Sequence, residues 1–128
     1  MFSDDPEQDL EFVTYIHDQI IEASGGAKGY HDEKLVRSAL ARPLHSAFGE
    51  NIYEDTFDRA AALLDSIANN HGFRDGNKRT AMAAATFYLY TREITVVYTN
   101  HEYETFMLTV VNSKPPIDVI ADWLKSHQ

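Results

Sequence analysis

The sequence has no cysteine in its 128 residues. That excludes disulfide staples and thiolate metal sites, and it is the cysteine usage of a reducing, cytoplasmic compartment. No apolar run approaches the roughly eighteen residues of a membrane span, so no membrane partner is expected. The opening MFSDDPEQDLEF is acidic and lacks the basic and apolar blocks of a signal peptide, so no export is expected. Repeats, low-complexity tracts and Pro/Gly/Ser linkers are missing as well. Positive charge is scarce: 11 Lys and Arg stand against 20 Asp and Glu, for a net charge of −9. A nucleic-acid partner is therefore not expected, because phosphate neutralisation needs a basic face.

What remains is 44% hydrophobic and 24% charged, the balance of a folded chain. Residues 1–128 read as a single all-α domain of about six helices. Residues 7–23 place Leu10, Val13, Ile16 (or His17) and Ile20 at helical spacing, with start signals from Ser3 to Asp5 and Pro6 in the first turn. SGGAKG at 24–29 ends that helix; it has neither a preceding strand nor the GK[ST] ending of a phosphate loop. A short helix is expected over 32–41, and 44–53 reads as irregular. Strong helices fit 55–70 and 77–91. The AMAAATFYLY run in the latter is apolar nearly all round, as in a central, buried helix. EITVVYT at 93–99 is the one β-rich run and suggests a short extended segment. Helices near 100–112 and 116–126 complete the bundle.

Between the two strong helices lies HGFRDGNKR, residues 71–79, which holds three of the chain's cations in nine residues. A helix beginning here presents unpaired N–H groups from about Gly76 to Arg79 at the positive end of its dipole, an anion site by construction. Gly76 lets backbone approach a phosphate. Lys78 and Arg79 add a mobile and a forked cation in a first turn where helix energetics alone disfavour them. Asp75 is a hard oxygen ligand suited to Mg²⁺ shared with a phosphate. His71 is the one side chain of the stretch suited to accept a proton near neutral pH. Phosphoryl or nucleotidyl transfer needs these parts. A polar inter-helix loop, with Asp75 or Asn77 as N-cap, is the plainer alternative.

The same residues resemble the Fic/Doc (Fido) family motif, in its death-on-curing (Doc) form. IHDQII at 16–21, GG at 25–26, SALARP at 38–43 and the long FDRAAALLDSIANNHGFRDGNKRTA at 57–81 are similar to Doc sequences in order and spacing. The resemblance spans roughly residues 10–95. It implies a compact helical bundle with His71 as the base that deprotonates a hydroxyl of a target protein. It also implies Asp75 on Mg²⁺ with ATP phosphates, Gly76 and Asn77 in the phosphate nest, Arg79 gripping phosphate and Phe73 buried to orient the loop. Arg74 falls at a variable position. Two departures separate the chain from the adenylyltransferase form: Lys78 replaces a glycine, and Met82 replaces a second arginine. Doc-type members share these features and are held to transfer the γ-phosphate of ATP to a protein Ser or Thr. The resemblance thus implies the toxin of a toxin–antitoxin pair, a cognate antitoxin whose C-terminal segment covers the toxin's groove, and a translation elongation factor as target. A protein adenylyltransferase (AMPylator) and a catalytically inactive binding module stay open as alternatives.

Residues 46–51 also fit the family's inhibitory pattern, in which Glu50 would pair with Arg79. The stronger reading places this segment in the target-docking flap. His17, His31, His45, His101 and His127 have no zinc spacing and read as surface or locally bonded side chains. Phe87, Tyr88 and Tyr90 read as core, with one ring as a candidate for an adenine pocket, and residues 102–104 as a solvated acidic face.

Overall fold

The computed structural model describes residues 2–128. Six helices run in order: α1 (Pro6–Ser24), α2 (Glu33–Ala41), α3 (Thr56–Asn70), α4 (Asn77–Thr91), α5 (Asn100–Ser113) and α6 (Ile117–Ser126). A 3₁₀ turn over Arg42–Leu44 follows α2, and a small hairpin pairs β1 (Ser46–Ala47) with β2 (Glu50–Asn51). The all-α expectation and the helix count hold. No helix among the described residues is long and apolar enough to cross a membrane.

Most helix starts carry a side-chain cap. Asp5 accepts from Glu7 and Gln8 N–H, with Pro6 in the first turn. Asp32 and Asp55 cap α2 and α3, and Thr99 with Glu102 forms a reciprocal capping box on α5. Such a cap is worth about 1 kcal/mol. Helices α4 and α6 differ: Gly76 and Pro116 stand at their N-cap positions with no side-chain bond.

The core is built around α3, which packs most extensively on α4 and then on α6. Small residues explain the closeness. Ala60, Ala61, Ala62 and Ala68 on α3 and Ala81, Ala84 and Ala85 on α4 are all buried, so the two backbones approach with little between them. Leu63, Leu64 and Leu89 fill the remaining space, each worth about 1.5–3 kcal/mol by burial. This pair of helices fixes both ends of residues 71–76. Helix α4 is buried from Thr80 to Leu89 on its inner face, but Phe87 and Tyr90 are exposed, so the aromatic run is only partly core.

Two local expectations change. Residues 93–99 pair with no strand among the described residues; their Val97 N–H donates to the His127 carbonyl at 2.8 Å. Residues 44–53 are more regular than their sequence suggests. They continue directly from the 3₁₀ turn and carry the hairpin, with Phe48 fully exposed at its tip. Arg42 ties this segment to α3 by donating to Asp65 Oδ2 at 2.7 Å and Ser66 Oγ at 2.9 Å.

Candidate active site

The loop between α3 and α4 begins at His71, which caps α3 in the left-handed conformation at φ 56°. Asn, Asp and His tolerate that region better than most residues. It turns the chain sharply out of the helix and leaves the His71 ring exposed. Gly72 follows and is buried. A Cβ there would lie 2.5 Å from Val36 Cγ2 and 3.0 Å from Val36 N. Gly72 therefore serves close packing against α2 rather than looseness.

Phe73 is 2% exposed. Its ring stacks on His17 at 3.9 Å and 7°, and against Tyr30 at 5.4 Å. Phe73 is thus buried, as expected, and packs against α1 and the α1–α2 connector behind the loop. Asn77 locks the turn: Phe73 N–H donates to Asn77 Oδ1 at 3.1 Å, and Asn77 Nδ2 donates to the Phe73 carbonyl at 2.9 Å. The Asn77 side chain is thereby occupied, so its contribution to an anion nest reduces to its backbone N–H.

Residues 25–32, the connector from α1 to α2, brace the loop from outside. His31 and Asp32 N–H both donate to the Gly72 carbonyl, at 2.9 and 3.1 Å, and Arg74 N–H donates to the Gly29 carbonyl at 3.2 Å. Ala27 N–H donates to Asp75 Oδ2 at 2.6 Å. That last bond aims the carboxylate and leaves Oδ1 without a partner among the described residues.

Gly76 has φ +79°, a backbone conformation that favours glycine, and a Cβ there would fit tightly, 3.1 Å from Ile21 Cδ1. Beyond it, the N–H groups of Asn77, Lys78 and Arg79 meet no acceptor among the described residues; the first satisfied one is Thr80 N–H, on the Gly76 carbonyl at 2.9 Å. Lys78 and Arg79 are exposed and make no ion pair among the described residues. Unpaired N–H groups, the helix dipole and two unpaired cations converge on one spot.

That spot opens into a cleft of about 710 Å³. Asp75, Gly76, Asn77, Lys78 and Arg79 line one wall, Ile21 and Gly26 another, and Tyr103, Glu104, Met107 and Leu108 of α5 the third. Burial pushes the Tyr103 hydroxyl above its usual pKa of 10.0, and Arg79 opposes that shift. Of the sequence-predicted residues, those from Asp75 to Arg79 come together in this cleft; Phe73 lies behind it, and His71 stands at the head of the loop, outside the cleft lining. Glu104, read from sequence as part of a solvated face, lines the cleft. Glu102 instead caps α5 and meets His127 Nε2 at 2.9 Å. Phe87 and Tyr90 line a separate groove with Ile94 and Val96, so neither ring borders the cleft. Glu50 lies in the exposed hairpin and makes no ion pair with Arg79.

Sequence comparison identifies the family. Residues 7–89 match the model of the Fic/DOC family, and the chain belongs to that family. Over 68 residues it is 47% identical to the "Toxin Doc" of Mycolicibacterium smegmatis, an alignment covering 53% of this chain and 52% of that protein. The matched part is thus about half of the mycobacterial relative's length. Over 115 residues it is 28% identical to the "Protein kinase doc" of Escherichia phage P1, with 90% of each chain covered.

Proposed function

We propose that the chain is the toxin of a toxin–antitoxin pair and acts as a phosphotransferase, moving the γ-phosphate of ATP to a Ser or Thr hydroxyl of a protein. The observation that carries this reading is the uncapped start of α4, where three unpaired N–H groups, Lys78 and Arg79 face a cleft of nucleotide size. The names of the two relatives support it. A cognate antitoxin is the expected partner, and a translation elongation factor is the target that the family resemblance suggests.

The donor set suits magnesium. Among the described residues no three His, Asp or Glu side chains gather to enclose a metal; Asp75 offers one carboxylate, already aimed by Ala27. Mg²⁺ is commonly held this way, by one or two carboxylates with phosphate and water. When bound, it would neutralise phosphate charge beside Asp75. The remaining work belongs to the chain's own groups. The N–H groups of Asn77, Lys78 and Arg79 and the two cationic side chains hold phosphate oxygens and stabilise charge during transfer. The His71 ring is exposed and has no partner among the described residues, so it is available to take the proton of an incoming hydroxyl. The hydroxyl oxygen bonds to the γ-phosphorus, the bond from that phosphorus to the β-bridging oxygen breaks, ADP leaves, and the proton passes from His71 to water.

Lys78 and Met82 favour phosphate over AMP transfer. Lys78 lines the cleft at a position where the adenylyltransferase form has glycine. Met82 is 2% exposed, inside the core, so no second cation reaches the phosphates from there. The test is to incubate the protein with ATP labelled at the α or γ phosphate and with cell lysate. Label from γ alone is expected, and it should vanish in His71→Ala. Transfer from α would mark an AMPylator, and none from either position a binding module.

A further inference from the structure

One fully buried titratable side chain takes no part in the scheme above. His17 lies on α1 with 0% exposure, and its Nε2 sits 2.8 Å from the Asp75 carbonyl oxygen. A carbonyl can only accept, so Nε2 donates. The ring also lies flat on Phe73 at 3.9 Å. One helical turn further along α1, Ile21 Cδ1 packs against Gly76, 3.1 Å from where a Cβ would stand. Two neighbouring turns of one helix therefore grip the loop at Phe73, Asp75 and Gly76.

The choice of histidine is informative. A core position on an apolar stripe is filled more cheaply by phenylalanine or leucine, because a buried polar ring costs free energy unless it is bonded. Here Nε2 supplies one donor aimed at one backbone oxygen, while Nδ1 lies 3.2 Å from Asp18 Oδ1 on the same helix. The peptide unit from Asp75 to Gly76 is planar and trans, so its carbonyl and its N–H point in opposite directions. With the oxygen held against α1, the Gly76 N–H is turned away from α1, and it meets no acceptor among the described residues. Glycine at 76 makes the opposite orientation of this peptide accessible, since no side chain resists it. That orientation would offer a carbonyl oxygen where the cleft needs donors.

The geometry points to His17 as a positioning residue that holds the Asp75–Gly76 peptide with its N–H available to an anion and its carbonyl buried. Its part in phosphate binding and transfer rests on the phosphotransferase reading. Its hold on the peptide does not.

Two substitutions separate the bond from the packing. His17→Phe keeps a flat ring against Phe73 and removes the donor; His17→Gln keeps a donor and removes the ring. Backbone NMR of the full chain without nucleotide gives the first readout. His17→Phe should shift the Gly76 amide and Asp75 carbonyl resonances, with α3 and α5 resonances and the near-UV circular dichroism unchanged. Titration with Mg-ATP gives the second: affinity should fall about tenfold or more in His17→Phe and by less than about threefold in His17→Gln, as expected for misplaced donors against retained ones. The turnover rate should fall further than affinity does. Unchanged Gly76 and Asp75 resonances in His17→Phe would overturn the proposal and leave His17 as core packing. If His17→Phe does not fold, native-like resonances at both positions in His17→Gln support the donor role, and shifted ones refute it. Should the unmodified protein neither bind ATP nor transfer phosphate, the functional reading fails, and the nucleotide-free spectra still decide the role of His17.

Discussion

Phe73 and Asn77 exchange two hydrogen bonds across the turn that leads into α4, backbone N–H to side-chain oxygen at 3.1 Å and side-chain amide to backbone carbonyl at 2.9 Å. Both Phe73 backbone groups depend on one side chain. Asn77→Ala should therefore cost about 2 kcal/mol, the range for stranding part-buried polar groups. Urea denaturation gives that value directly. Asn77→Asp keeps the acceptor and sets a carboxylate against the Phe73 carbonyl, so it should be no more stable than the alanine variant. If Asn77→Ala unfolds at the urea concentration of the unmodified chain, the turn does not depend on this exchange.

Gly72 allows a different prediction because its backbone is not in the left-handed region. What it requires is room. Gly72→Ala drives a methyl to within 2.5 Å of Val36 Cγ2 and should destabilise by about 1–3 kcal/mol through overpacking. The second substitution Val36→Ala removes the clashing methyl groups, so the double variant should lose less than the sum of the two single losses. Strict additivity in thermal unfolding would show that the strain lies elsewhere.

His71 separates stability from chemistry. Its φ of 56° costs a non-glycine residue about 1–2 kcal/mol. His71→Gly relieves that cost, offset in part by the entropy of a freer unfolded chain. The expected variant melts at or above the temperature of the unmodified protein, and it transfers no label from γ-labelled ATP. A lower melting temperature would mean that the histidine ring supports the fold.

Part of the acid sensitivity should trace to the start of α5. The Thr99 backbone N–H, followed by the His127 side chain, holds the Glu102 carboxyl below its usual pKa of 4.5. The folded state thus favours the ionised form. The stabilisation is fully present above pH 4.5 and is lost as pH falls through the lowered value of the folded protein. Stability measured from pH 5 down to 2 should fall less steeply in Glu102→Gln. Identical slopes would count against the carboxylate.

The helices were legible because their apolar stripes are long and four of their starts carry Asp or Thr caps; 56–70 and 77–91 stand nearly where the sequence puts them. The cations of the loop were legible for a physical reason, since Lys78 and Arg79 oppose the dipole of the helix they begin. His17 was not. Fifty-eight positions separate it from Asp75, and a histidine on an apolar stripe gives no sign of which distant carbonyl it meets. Gly72 was not legible either, because its need comes from Val36, which reaches it only after folding. Each hairpin strand has two residues, too few for alternation to register, whereas the β-rich run at 93–99 had propensity and no partner. Glu104 looked like its acidic neighbour Glu102. Only the placement of α5 sends one to the cleft and the other to His127.

The α1–α2 connector meets the loop in reverse order along the chain: Ala27 with Asp75, Gly29 with Arg74, then His31 and Asp32 with Gly72. Backbone supplies every one of its donors and acceptors. The connector is therefore a ruler whose spacing matters more than its letters. Exchanging Ala27, Lys28 or His31 for other side chains leaves the contacts in place, while deleting a single residue between 27 and 31 slips them all. Relatives could vary at the positions of Ala27, Lys28 and His31 and still be held to one length, in a stretch that contributes no catalytic side chain.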